Sequence, residues 1–132
     1  MVIQVFKDII AYVKANNIKY VISAGDMFHS RTAIDVNVMN IAYKLVQALA
    51  KHCTVYILAG NHDIYLKSST DVNSINIFQD IQNVVLLNST AEMRINSKHC
   101  ILVPWLGDLS AYSKESADFM FGHFDISSKF LM

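Results

Sequence analysis

The sequence predicts an α/β domain with a largely parallel central sheet, flanking helices and a short antiparallel addition. Short, nearly all-apolar runs such as Val55-Tyr56-Ile57-Leu58-Ala59 suit strands covered on both faces, as in a parallel sheet with helices on each side. Between these runs lie longer stretches whose apolar residues recur at helical spacing. Three of the four glycines follow such a run and stand directly before a polar residue, at Gly25-Asp26, Gly60-Asn61 and Gly122-His123. Ligands of open α/β sheets bind at the carboxyl ends of the strands. The three junctions therefore mark one edge of the sheet as the place for chemistry.

Phe6, Ile9, Ile10 and Val13, with Lys7, Asp8 and Lys14 opposite, predict an amphipathic helix from Val2 to about Ala15, ended by Asn16-Asn17. A strand follows over Lys19 to Ala24. A helix needs a sheet to pack on, so this opening helix reads as the second element of a β-α-β unit whose first strand is missing. Beyond a polar loop from His29 to Asp35, Asp35 can cap a helix that runs to about Lys51 with Val38, Ile41, Ala42, Leu45 and Leu49 as its stripe. The next strand is Cys53 to Ala59, joined by a crossover that is right-handed by default. Tyr65 to Asn73 reads as a polar loop and Ile75, Ile77, Phe78 and Ile81 as a short helix. Val84 to Leu87 and Ala91 to Ile95 read as an antiparallel pair joined by Asn88-Ser89-Thr90. His99 to Val103 is a further strand ending at Pro104-Trp105. Gly107 to Glu115 reads as loop with a helical turn, and Ala117 to Phe121 as the strand that delivers His123. The final stretch, Ser127 to Met132, shows no closing element.

At 132 residues the chain is one domain in size, able to bury a core without disulfides or structural metal. Its 53% hydrophobic and 17% charged content is rich for an isolated soluble domain, which points to apolar surface covered by further chain or a partner. The 11 basic and 11 acidic residues cancel, so no charge footprint for nucleic acid is visible, although bound dications would supply local positive charge. Cys53 and Cys100 begin apolar runs and read as buried thiols of a reducing compartment. No signal pattern and no apolar run near the ~20 residues of a membrane span is visible, so the expected location is the cytoplasm, the host's if the source is viral, without membrane contact.

Gly-Asp and Asn-His-Asp are each ordinary turn chemistry when taken singly. Three such junctions at one edge, offering Asp26, Asn61 and His123, instead favour a metal site of mixed oxygen and nitrogen character. His62 reads either as part of that site or as a turn histidine capping a strand end.

At these residues the sequence resembles the calcineurin-like metallophosphoesterase family. Gly25-Asp26-Met27-Phe28-His29, Gly60-Asn61-His62-Asp63 and Gly122-His123 match three of its blocks, while its Asp-x-His and Gly-His-x-His blocks are absent. Arg31 and the Val103-Pro104-Trp105 segment make the wording similar to the SbcD-like and T-even phage branch of DNA-repair nucleases. The resemblance implies a partial metallophosphoesterase sandwich, a single domain over 1–132 that is incomplete at both ends. It implies two divalent ions in the full site, manganese first and magnesium, iron or zinc as alternatives. Asp26 would bridge the two ions, and Asn61 and His123 would bind the second. This chain would then hold ligands mainly for one. His62 would act on the scissile phosphate, with Asp63 orienting its ring. His29 would touch the substrate or support the ligands, or be only a helix-start side chain, and Arg31 would be a phosphate contact or a solvated cation.

The implied function is a metal-dependent phosphodiester hydrolase, a nuclease subunit in DNA recombination or repair. It would act on DNA with an SMC-like ATPase partner, with a homodimer possible. The alternatives are a phosphatase or phosphodiesterase on small or protein phosphate esters, and a noncatalytic remnant serving as a binding piece. With ligands missing, the chain alone is expected to bind at most one ion weakly and to hydrolyse little.

Overall fold

The computed structural model of the chain describes residues 2–112 and 116–125. Helix α1, Val2–Ala15, ends where Asn17 takes a left-handed conformation (φ 52°), which asparagine tolerates better than most residues. Strand β1, Tyr20–Ser23, follows. Helix α2, Val36–Ala50, begins as expected at Asp35, whose carboxylate accepts from the amides of Asn37 (2.8 Å) and Val38 (3.2 Å). Strand β2, Thr54–Leu58, is the centre of a parallel three-stranded sheet. It pairs with β1 on one side and on the other with the strand Val84–Leu87.

The structure departs from expectation in three places. Tyr65 to Asn73, expected as a loop, folds as a hairpin of β3, Ile64–Leu66, and β4, Ser69–Asn73. The hairpin is largely exposed, and its run of Lys67, Ser68, Ser69, Thr70, Asp71 and Asn73 reads as loop. The short helix after it is a 3-10 turn over Ser74–Phe78, started by the Asn73 side chain accepting from the Asn76 amide at 3.0 Å. Thirdly, Val84–Leu87 (β5) and Ala91–Ile95 (β6) do not pair with each other. β5 joins the parallel sheet, and β6 pairs antiparallel with β7, Lys98–Val103. The hairpin turn is Asn96-Ser97, both with positive φ (52° and 66°), the backbone shape whose twist matches two antiparallel strands. Strand β8, Phe119–Gly122, lies parallel to β7. The expected helical turn before Glu115 and the terminal stretch from Ser127 lie, wholly or in part, outside the described residues.

The two three-stranded sheets stack as a sandwich. On one face of the parallel sheet Val21, Val55 and Ile57 pack with residues of both helices, among them Val13, Val46 and Leu49. On the other, Ile22, Tyr56, Leu58 and Leu87 meet Cys100, Leu102 and Phe121 of the second sheet. The helices thus cover one face and not both, and a second sheet supplies the cover that sequence reading assigned to helices. β2 is buried on both sides, which explains its unbroken apolar run. An open cleft of about 790 Å³ runs between α1, α2 and β1, lined by apolar side chains including Phe6, Val21 and Leu45, and reaches Asp26 and His62 at one end. β1 is the edge strand beside it. Among the described residues no helix is long and apolar enough to cross a membrane.

Candidate metal centre

The strand ends of β1, β2 and β8 meet at one point. β1 releases the chain at Gly25 with φ +102°, a conformation open to glycine, and Asp26 follows at φ 55°. Gly60 serves another need, because a Cβ there would stand 2.2 Å from the Asp26 amide nitrogen and 2.3 Å from its Oδ1. A Cβ on Gly25 would stand 2.8 Å from the Gly60 Cα. The two loops thus lie back to back at a distance only glycines allow. β8 approaches from the second sheet, where the His123 amide donates to the Val103 carbonyl at 2.9 Å.

This convergence brings Asp26, Asn61 and His123 together. His123 Nδ1 lies 2.9 Å from the Ala24 carbonyl, an acceptor only, so Nδ1 carries a proton and Nε2 is the nitrogen turned to the site. Nε2 points at Asn61 Oδ1 (2.8 Å) and towards Asp26 Oδ1 (3.6 Å). A proton on Nε2 can bridge these atoms in the metal-free chain, and a cation can take its place. The backbone bond at Nδ1 also fixes ring and tautomer, as partners of metal-binding histidines do. The Trp105 ring meets the His123 ring edge-on, centroids 6.0 Å apart, and its amide donates to the Ala59 carbonyl at 2.8 Å. The sequence singled out Trp105 only through a segment resemblance. Its packing against His123 has no signature in spacing. Among the described residues no group of three or more His, Cys, Asp or Glu could hold a metal ion, so a site here depends on the Asn61 amide oxygen.

Asp63 does not sit as expected. Its carboxylate is turned away from the His62 ring into the interior, 1% exposed. Oδ2 accepts from the amides of Gly60 (2.9 Å) and Met27 (3.3 Å), and Oδ1 from that of Phe28 (3.1 Å). The His62 ring is oriented instead by the His29 carbonyl, 2.7 Å from Nδ1, while the His62 amide donates to Asp26 Oδ1 at 2.9 Å. Nδ1 therefore holds a proton and Nε2 is the open nitrogen. The His29 ring lies 5.4 Å from the His62 ring, centroid to centroid, tilted by 47°. Its backbone carbonyl, rather than its imidazole, makes the contact that matters to His62. Arg31 is half-buried, and no hydrogen bond or ion pair joins it to another described residue.

An α/β sandwich with oxygen and nitrogen donors gathered at its strand ends fits the class of metal-dependent phosphoesterases. Residues 2–127 match the calcineurin-like phosphoesterase family, and the chain belongs to it. It is also similar to Exonuclease subunit 1 of Enterobacteria phage T4, with 30% identity over 129 residues covering 92% of this chain. The chain spans 38% of that relative's length. The family implies divalent metal ions, and the oxygen and nitrogen donors of Asp26, Asn61 and His123 fit one.

Proposed function

We propose that this chain forms part of a metal-dependent nuclease that hydrolyses phosphodiester bonds of DNA. The observation that carries the reading is the meeting of a carboxylate oxygen of Asp26, the amide oxygen of Asn61 and the imidazole Nε2 of His123 at the carboxyl ends of strands from two sheets. The similarity to a phage exonuclease subunit supports DNA as the substrate class and a multisubunit assembly, with an SMC-like ATPase and a second copy as the partners to test. When bound, a divalent cation supplies positive charge that polarises a phosphate and eases ionisation of water. Manganese is our first choice; Asp26, Asn61 and His123 would hold it, and a second ion would need further ligands besides Asp26.

The remaining work falls to the chain's own groups. His62, held through Nδ1 by the His29 carbonyl, presents Nε2 as the nitrogen that can carry a proton to a phosphate oxygen or leaving group. Arg31, without a hydrogen bond or ion pair to another described residue and two positions after His29, is our candidate for contacting the phosphate backbone.

Calorimetric titration with manganese tests the ligand assignment. One weak site in the chain, lost in Asp26→Ala, is the expected result. Two tight sites, or binding that survives Asp26→Ala, would refute it. Incubation with single-stranded DNA, double-stranded DNA and a small phosphodiester separates the substrate readings. We expect slow manganese-dependent cleavage of DNA, reduced at least about tenfold in His62→Ala. Cleavage of the small ester alone would replace the nuclease reading with that of a small-ester phosphodiesterase.

A further inference from the structure

We infer that Asp63 is a positioning residue of this site: its buried carboxylate clamps the loops that carry Asp26 and Asn61 at a fixed separation. The inference rests on the reading of those residues as ligands. Among the described residues Asp63 is the buried charged side chain, at 1% exposure, and such a group is costly unless its oxygens are satisfied. They are satisfied by amides from both loops. Gly60, directly before Asn61, donates at 2.9 Å, and Met27, directly after Asp26, at 3.3 Å to the same oxygen. Phe28 donates to the other at 3.1 Å.

One carboxylate thus grips the peptide unit next to each ligand. The Gly25 and Gly60 backbones already stand at the limit of approach, since a Cβ on either would collide with the other loop. The glycines stop the loops from closing and the carboxylate stops them from parting. A turn carboxylate serving only its own loop would accept from Gly60 alone. Bonds to residues 35 and 36 positions away have no use within that turn.

Asp63→Asn tests the clamp because it keeps the shape and one oxygen but turns an amino group towards an amide donor. In the metal-free full chain, hydrogen exchange is expected to show lost protection at the amides of Met27, Phe28 and Gly60, with the β6–β7 pair unchanged. At a temperature where circular dichroism shows both proteins fully folded, manganese affinity is expected to fall about tenfold or more, the scale of lost support to metal ligands. Ser74→Ala is the control. The Ser74 hydroxyl touches the Asp63 carbonyl (3.2 Å) and Oδ1 (3.5 Å) without bridging the loops, so affinity is expected to hold.

Unchanged affinity in folded Asp63→Asn, protection lost throughout the sheet, or an equal affinity loss in Ser74→Ala would each overturn the inference. Should the Asn variant not fold, Asp63→Glu keeps both acceptors but extends them by one carbon. It is expected to weaken manganese binding about tenfold as well, and unchanged affinity there overturns the clamp. Asp26→Ala run alongside separates the two claims. If it binds manganese like the wild type, the ligand reading fails, while the metal-free exchange result still judges the clamp.

Discussion

A single methyl group at Gly60 would occupy the space of the Asp26 backbone and carboxylate, with contacts of 2.2 and 2.3 Å. The nearest neighbour is backbone, as is the Gly25 carbonyl carbon at 2.9 Å, so the loops themselves must move. Gly60→Ala is therefore expected to cost about 1–3 kcal/mol by urea unfolding. It should also weaken manganese binding, because the displaced atom is the expected ligand. At this scale much was legible. The glycine before Asn61 and the wording Gly-Asn-His-Asp marked the strand end at which Asp26, Asn61 and His123 come together. The surroundings of Asp63 were not, since a carboxylate beside a histidine reads as its partner. The amides that Asp63 in fact binds come from 35 and 36 residues earlier in the chain, a distance no local pattern encodes. The His62 ring partner is a backbone carbonyl, which every residue has and no sequence can advertise.

Among the elements, β6, β7 and β8 are tied at the end away from the site by His99. Its Nδ1 faces the Ser116 carbonyl at 2.7 Å and its Nε2 the Glu92 carboxylate. Its amide is held by the Asp118 carboxylate at 2.8 Å. Both ring nitrogens meet acceptors, so the fold favours the doubly protonated ring. The Ser116 carbonyl foremost, and then Glu92, raise its pKa, against burial and Arg94. A raised folded-state pKa stabilises fully below the ordinary histidine value of about 6.5 and is lost as pH rises through the folded value. Urea midpoints measured from about pH 5.5 to about pH 8.5 are expected to fall faster with pH in the wild type than in His99→Gln. Parallel slopes would contradict this role. The strands themselves were largely legible from their apolar runs, and α2 from its cap. Sheet membership was not. β5 and β6 read as a hairpin because a short polar link joins them, yet that link carries the chain from one sheet to the other.

For the molecule as a whole, the α/β class and the meeting of strand ends were readable from periodicity and from the three glycine junctions. Periodicity alone did not show the second sheet, which the family resemblance implied as a sandwich, because residues buried by a sheet and by a helix look alike from a strand. The excess of apolar residues has a counterpart in the cleft between α1, α2 and β1, where Ile3 is 42% and Ile9 37% exposed. A folded chain with such a cleft is expected to enhance the fluorescence of anilinonaphthalene sulfonate, and Ile3→Ser with Ile9→Ser to reduce it. No enhancement from the native protein would count against an accessible cleft.

The contacts that close the site join residues 36, 62 and 99 positions apart. Contacts of such span carry the largest loop-closure cost and form late in folding. The chain's one tryptophan, Trp105, lies against His123 at this last-closing point. Its emission is therefore a built-in clock for assembly of the site, lagging behind the far-ultraviolet signal of the helices as the protein refolds.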